Sequence, residues 1–153
     1  MSPRDLQLEL TSDPSELARV RELLGDWCQA DGWDEQRRAD IVLALDEALT
    51  NVIRHGYEGR PGQRIDVTVQ HVRDAVRGEG LEITVRDYGR QVPIQSICGR
   101  DLRDLQPGGL GVHIIHGVMD SAEYTHAPGG GMRLVMRKYR GGAAGRPARP
   151  EPE

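Results

Sequence analysis

The segment from Asp34 to His55 constrains the fold of this chain more than any other part of the sequence. Its apolar residues recur at helical spacing, so that Ile41 and Leu49 fall within one arc at about 100° per residue. The pattern predicts a long amphipathic helix over this segment, with Gly56 as the residue that ends it. A helix of this kind needs a second layer against which its apolar arc can pack.

A polar stripe lies beside that apolar arc. Glu47, Asn51 and His55 follow each other at intervals of four residues, so the same count groups them on one edge of the helix. Ala44 and Ala48 border the stripe, and these small residues are expected to leave room for a ligand. A carboxylate, an amide and an imidazole on one edge could position a metal ion and accept a proton. An ordinary solvated helix edge is the alternative if this helix is considered alone.

Alternation of apolar and polar residues predicts strands on both sides of the helical region. The predicted strands cover residues 6–10, 65–69, 81–85, 123–126 and 132–139. Two more helices are predicted, one starting at Asp13-Pro14 and one from Leu110 to about Met119. The order β-α-α-β-β-loop-α-β-β with short links predicts a two-layer α/β (α+β) sandwich. Its sheet is expected to be mixed, mostly antiparallel and covered on one face by helices.

Length and composition indicate a single soluble domain. The chain has 153 residues, a net charge of −4 and no basic stripe, so direct binding to nucleic acid is not expected. No apolar run is long enough to cross a membrane and no signal-peptide segment is present, which predicts a cytoplasmic protein without a membrane partner. Residues 1–140 are predicted to form the domain, and residues 141–153 to form a flexible tail.

The strand that ends at Asp87 offers a second candidate contact. Strand alternation puts Asp87 on the same face as Leu81 and Val85, so a carboxylate ends an apolar face. A buried carboxylate needs a donor, and an exocyclic amino group of a ligand would serve. Gly89 removes a side chain where a flat ring would lie. The alternative is a carboxylate that caps the following turn, which is common for Asp before Gly.

The short segment Gly109-Leu110-Gly111 leads into an apolar helix. Backbone N–H groups at the positive end of a helix suit phosphate oxygens, although a flexible loop before a helix would also explain these glycines. The irregular stretch from Tyr88 to Gly109 is long for a compact domain, and a lid over a bound triphosphate would explain it. Together with the helix stripe and Asp87, the glycine segment completes a set of metal, nucleobase and phosphate contacts in a fixed order.

These three segments resemble the motif boxes of the histidine-kinase-like (GHKL) ATPase superfamily. Residues 47–56 (EALTNVIRHG) resemble its N box, residues 87–89 (DYG) its G1 box and residues 109–111 (GLG) its G2 box. Within the superfamily, the chain is most similar to bacterial anti-sigma-factor serine-protein kinases of partner-switching systems, over residues 6–139. The resemblance implies a Bergerat-type ATP-binding fold.

The resemblance implies ATP and Mg²⁺ as cofactors and a role for each matched residue. Asn51 would coordinate Mg²⁺, and Glu47 would act as the catalytic base toward an attacking hydroxyl group. Asp87 would accept a hydrogen bond from the adenine amino group. The other nucleotide-binding positions implied by the resemblance are His55, Gly89, Gly109, Leu110 and Gly111.

The resemblance also implies an activity and a set of partners. The implied activity is that of a protein serine/threonine kinase and anti-sigma factor. Such a protein phosphorylates a Ser or Thr on a small antagonist protein and sequesters a sigma factor or similar regulator. Regulation would involve a homodimer, or partner contact through the first strand and helix.

One position departs from the family pattern. The G1 box of the family reads Asp-x-Gly-x-Gly, and Gln91 stands in place of the second glycine. A side chain there is expected to narrow the adenine side of the pocket or to stiffen the hinge of the lid, which bears on turnover more than on nucleotide binding. Two functions are therefore open. Glu47 favours a kinase, whereas Gln91 favours a non-catalytic ATP-binding regulatory module that inhibits a partner by binding alone.

Overall fold

The computed structural model describes residues 3–94 and 109–141, with the backbone alone for residues 109–113. The elements are, in chain order, β1 (Leu6–Thr11), α1 (Glu16–Ala30), α2 (Glu35–Asn51), a π-helical turn (Val52–Gly56), β2 (Arg64–Asp74), β3 (Gly78–Asp87), α3 (Gly109–Val118), β4 (Ser121–His126) and β5 (Met132–Tyr139). Every predicted helix and strand is present. Residues 95–108, which hold most of the predicted lid, and residues 142–153 of the predicted tail lie outside the described residues.

The strands form one five-stranded sheet in the order β1-β2-β3-β5-β4. Every pairing between described strands is antiparallel, so the sheet is antiparallel rather than mixed. The connection from β3 through α3 brings β4 into the same direction as β3. β5 lies between these two strands and is antiparallel to both. The predicted two-layer α/β sandwich with a mostly antiparallel sheet is confirmed.

The hydrophobic core lies between the sheet and the helices. Alternate residues of β2, such as Ile65, Val67 and Val69, are buried on the helix-covered face of the sheet. From the helical layer, α2 buries Ile41 and Leu45, and it packs against both α1 and α3. Within residues 3–94 and 109–141, no helix combines the length and apolar character needed to span a membrane.

α2 begins where the sequence predicts and ends differently. Asp34 is its N-cap, and the Asp34 side chain accepts a 2.9 Å hydrogen bond from a backbone N–H of the first turn. α-Helical structure ends at Asn51, and the following turn is π-helical, with the Tyr57 N–H donating to the Val52 carbonyl at 3.0 Å. Gly56 is the last residue of this π-helical turn, so the helical region ends at the predicted glycine, but as a helical residue and without the positive φ typical of a C′ glycine.

Candidate functional site

The polar edge of α2 carries the candidate catalytic and metal-binding residues. Glu47 and Asn51 lie one turn apart, and both are half-buried. The side-chain oxygen and nitrogen of Asn51 are buried, and neither has a hydrogen-bond partner among the described residues. A buried polar group without a partner costs about 1–3 kcal/mol, and such groups are rare in folded proteins. The Asn51 amide is therefore a candidate for ligand binding.

The small residues beside this stripe have a different role from the one expected. Ala44 and Ala48 are 0% and 2% exposed and belong to the hydrophobic core. The expectation that they leave room for a ligand is wrong, because the space around them is filled by the protein itself. They serve the packing of the helical layer.

The chemistry of the Asn51 side chain fits the Mg²⁺ ion that the family resemblance implies. Mg²⁺ prefers oxygen ligands and is commonly held by one or two protein oxygens together with water and substrate phosphates. The Oδ1 atom of Asn51 is an oxygen of this kind, and it is not engaged by any described residue. The carboxylate of Glu47 likewise has no hydrogen bond or ion pair among the described residues.

His55 lies in the π-helical turn, beyond the end of α2. The count that grouped it with Glu47 and Asn51 assumes a continuous α-helix, and this condition ends at Asn51. The backbone carbonyl of His55 accepts a 2.8 Å hydrogen bond from Nε of Arg90. This contact ties the π-helical turn to the segment that follows β3.

Asp87 ends β3 with a buried carboxylate, as the strand alternation predicts, and it is 2% exposed. Its Oδ1 atom accepts hydrogen bonds from the backbone N–H groups of Gly89 at 3.0 Å and Met132 at 3.2 Å. Burial raises the pKa of Asp87 above its ordinary value, and these two donors oppose the shift. The Gly89 bond is the turn cap of the alternative interpretation. Both bonds from described residues end on Oδ1, and neither of them occupies Oδ2.

Position 89 requires a glycine for a structural reason that differs from the expected one. A Cβ atom at this position would lie 2.3 Å from the carbonyl oxygen of Gly56 and 3.1 Å from the ring of Tyr57. The absent side chain therefore admits the backbone of the π-helical turn, and this approach requires a glycine whether or not a flat ring binds nearby. The backbone N–H of Arg90 donates to the same Gly56 carbonyl at 3.0 Å. The end of the α2 region is thereby joined to the end of β3.

Tyr57 supports this junction and was missed by sequence reasoning. It is 2% exposed, and its hydroxyl accepts a 2.7 Å hydrogen bond from the backbone N–H of Tyr88 while donating to the Arg64 carbonyl. Burial raises the pKa of the Tyr57 hydroxyl above its ordinary value. The available signal was a tyrosine directly after a predicted helix, because a buried tyrosine hydroxyl needs a partner.

The glycine segment lies at the start of a helix, as predicted. α3 begins at Gly109, so residues 109–111 form its first turn, and only the backbone of Leu110 is described. Backbone N–H groups in the first turn of a helix have no intrahelical acceptor, and they favour anions such as phosphate. α3 packs against α2, the helix that carries Glu47 and Asn51.

The fold and these contacts define an α/β sandwich equipped for a nucleotide. A family model described as a histidine kinase-like ATPase domain matches residues 10–138, and the chain belongs to this family. The predicted resemblance to the GHKL superfamily is confirmed. ATP is the nucleotide of such ATPase domains.

Two curated relatives illustrate the similarity. A serine-protein kinase RsbW from Bacillus pumilus is 24% identical over 142 residues, which cover 88% of this chain and 85% of the relative. An anti-sigma F factor from Oceanobacillus iheyensis is 30% identical over 103 residues, which cover 65% of this chain and 67% of the relative.

Solved structures share the fold. The structure of the RsbU and RsbW domains of a Mycobacterium tuberculosis protein matches with a TM-score of 0.64 and 21% identity, over 88% of this chain and 32% of that one. A chain in the structure of the SiaB–SiaC complex from Pseudomonas aeruginosa matches with a TM-score of 0.57 and 18% identity, over 88% of this chain and 89% of that one. These comparisons confirm the predicted fold class.

Proposed function

We propose that this chain is an ATP- and Mg²⁺-dependent serine/threonine protein kinase that also acts as an anti-sigma factor. Its substrate would be a Ser or Thr on a small antagonist protein, and the protein that it sequesters would be a sigma factor or similar regulator. The buried, unpartnered amide of Asn51, one helical turn from Glu47, carries the proposal. The names of the curated relatives, a serine-protein kinase and an anti-sigma F factor, support the choice of substrate and partner.

Each candidate residue has a defined task in this proposal. Asp87 would accept from the adenine amino group through Oδ2, and the N–H groups of residues 109–111 would bind phosphate oxygens. Asn51 would hold Mg²⁺, which when bound offsets the negative charge of the phosphates. His55 would lie beside the nucleotide at the end of the N box.

Glu47 would act as the base of the transfer. Its carboxylate takes the proton of the acceptor hydroxyl as the hydroxyl oxygen forms a bond to the γ-phosphorus of ATP. The bond between that phosphorus and the oxygen bridging it to the β-phosphate breaks, and ADP leaves. The products are ADP and a phosphoserine or phosphothreonine on the antagonist. A carboxylate that is half-buried and has no partner among the described residues is suited to this task.

A second function is favoured by Gln91. Its side-chain amide donates to carbonyls of the turn between β4 and β5. The segment that contains Gln91 is therefore tied to this turn by contacts that a glycine could not make. A protein that binds ATP as a structural ligand and inhibits its partner by binding alone would tolerate such a restraint. The two functions differ in whether phosphate is transferred.

Phosphotransfer with γ-labelled ATP separates these functions. The purified chain is incubated with Mg-ATP and candidate small antagonist proteins, and labelled phosphoserine or phosphothreonine is measured. Glu47→Gln should retain ATP binding and lose at least about a hundredfold in transfer rate, the contribution expected of a general base. Glu22→Gln, an exposed glutamate on α1, is the matched control and should transfer at the normal rate. Normal transfer by Glu47→Gln would exclude Glu47 as the base, and ATP binding without transfer by the unaltered chain to any candidate favours the second function.

A further inference from the structure

The turn between β4 and β5 lies against the end of β3, where the candidate nucleobase-binding residue Asp87 stands, and it has an unusual backbone. Gly129, Gly130 and Gly131 are consecutive and have φ values of 86°, 113° and 77°. These values lie in the region that favours glycine, so no Cβ restrains the turn. A Cβ on Gly131 would lie 2.1 Å from the backbone oxygen of Asp87, which shows how closely the turn approaches the end of β3.

The turn also supplies a direct contact to the base-binding carboxylate. The residue after the turn is Met132, and its backbone N–H donates to Oδ1 of Asp87 at 3.2 Å. The position of this N–H depends on the glycine turn before it. A turn that moves would release one of the two backbone bonds that orient Asp87.

Side chains from the end of β3 and the following segment hold the carbonyl groups of the turn. Arg86 donates from Nη1 to the Gly130 carbonyl at 2.6 Å and from Nη2 to the Pro128 carbonyl at 3.0 Å. Gln91 donates from Nε2 to the carbonyl oxygens of Ala127 at 3.1 Å and Gly131 at 3.3 Å.

The Gln91 contacts fall on the two residues that close the turn. The Ala127 N–H donates to the Gly131 carbonyl at 3.0 Å, and the Gln91 amide joins the carbonyls of the same two residues. A primary amide carries two N–H donors, so both carbonyls can be satisfied at once. The side chain therefore holds the base of the turn immediately before Met132.

We propose that Gln91 is a positioning residue for adenine recognition. By holding the β4–β5 turn, it keeps the Met132 N–H on Oδ1 of Asp87 and so directs Oδ2 toward the 6-amino group of the purine. This inference rests on the proposed function, since it concerns the same nucleotide. It assigns a specificity role to the position at which this chain departs from the family's glycine.

The test compares two nucleotides that share a triphosphate. Dissociation constants for Mg-ATP and for Mg-ITP, which carries a 6-oxo group, are measured by calorimetry on the unaltered chain and on Gln91→Met and Gln91→Gly. Methionine matches glutamine in length but has no donor. The matched control is Gln63→Met, because Gln63 also donates its amide to a backbone carbonyl, that of Pro61 at 3.1 Å, outside this site.

We expect the preference for ATP over ITP to fall about two- to tenfold in both Gln91 variants, as for the loss of one net hydrogen bond, and to stay unchanged in Gln63→Met. An unaltered chain that binds neither nucleotide would overturn the proposed function. An unaltered chain that prefers ATP, with the full preference retained in Gln91→Met, would overturn the role of Gln91 alone. Equal weakening of both nucleotides would also overturn it, because a merely structural role changes the two affinities together.

Discussion

Replacing Asn51 with leucine should make the nucleotide-free protein more stable and remove its stabilisation by Mg-ATP. Both polar atoms of the Asn51 amide are buried and lack a partner among the described residues. Leucine has a similar volume and no polar atoms, so the free energy of unfolding should rise by about 1–3 kcal/mol, the cost of one unsatisfied buried group. In a domain of this size, the change corresponds to roughly 2–4 °C in Tm for each kcal/mol.

Urea unfolding followed by circular dichroism measures this effect with and without nucleotide. A ligand that binds only the native state adds RT ln(1 + [L]/Kd), or about 2.7 kcal/mol at a hundredfold excess over Kd. The unaltered chain should gain this stabilisation from Mg-ATP, and Asn51→Leu should not. At a thousandfold excess over Kd the stabilisation is about 4.1 kcal/mol, which exceeds the expected gain of Asn51→Leu, so the order of stability of the two proteins reverses there.

The neighbouring Thr50 provides the control. Its hydroxyl already donates to the Asp46 carbonyl at 2.8 Å, so Thr50→Val should be neutral or destabilising by up to about 1.5 kcal/mol. It should leave the stabilisation by Mg-ATP intact. If Asn51→Leu is less stable than Thr50→Val without nucleotide, the Asn51 amide contributes to folding and the reasoning from its missing partners is refuted.

Two further predictions concern the junction between the π-helical turn and β3. Gly89→Ala should lower the free energy of unfolding by about 1–3 kcal/mol, because its Cβ would lie 2.3 Å from the Gly56 carbonyl oxygen. Gly25 lies within α1, and a Cβ added there would have nothing within 4 Å, so Gly25→Ala should raise the free energy of unfolding by about 0.5–1 kcal/mol. Urea unfolding of both variants checks that the two changes have opposite signs. Asp87→Asn should gain stability relative to the unaltered nucleotide-free chain as pH rises above about 4, because burial raises the pKa of Asp87 and ionisation then opposes folding. Unfolding at pH 4 and pH 7 measures this difference, and a constant value would contradict it.

The predictable parts of the fold are the elements in which burial of one face sets the spacing of the apolar residues. Alternation along β3 placed Asp87 at the end of a buried face, because a period of two holds whatever covers that face. The π-helical turn was not predictable in this way, since Val52 and Ile53 also fit the α-helical period. Tyr57 makes its contacts with the ends of β2 and β3, which a local pattern cannot report.

The candidate site was predictable in its residue types and less so in its contacts. The interval between Glu47 and Asn51 is a property of α2 alone, and it holds in the structure. The second backbone donor to Asp87 comes from Met132, which is distant in sequence and contributes only its N–H. The periodicity of a sequence indicates which side chains are buried, but it does not indicate which backbone N–H group will contact a distant residue. For the same reason, the sequence pattern did not predict why position 89 requires a glycine. The requirement comes from the close approach of the Gly56 carbonyl, which belongs to another segment.

The position of β5 has a consequence for the order in which the protein is made. β5 is the last of the described strands in chain order, yet it lies inside the sheet between β3 and β4. Synthesis proceeds from the N-terminus, so a nascent chain that has not reached Met132 carries β3 with an open edge and Asp87 without its second donor. Open edges of this kind pair readily with strands of other chains. The second backbone donor to Asp87 and the partner that covers the edge of β3 are thus acquired together, when β5 enters the sheet.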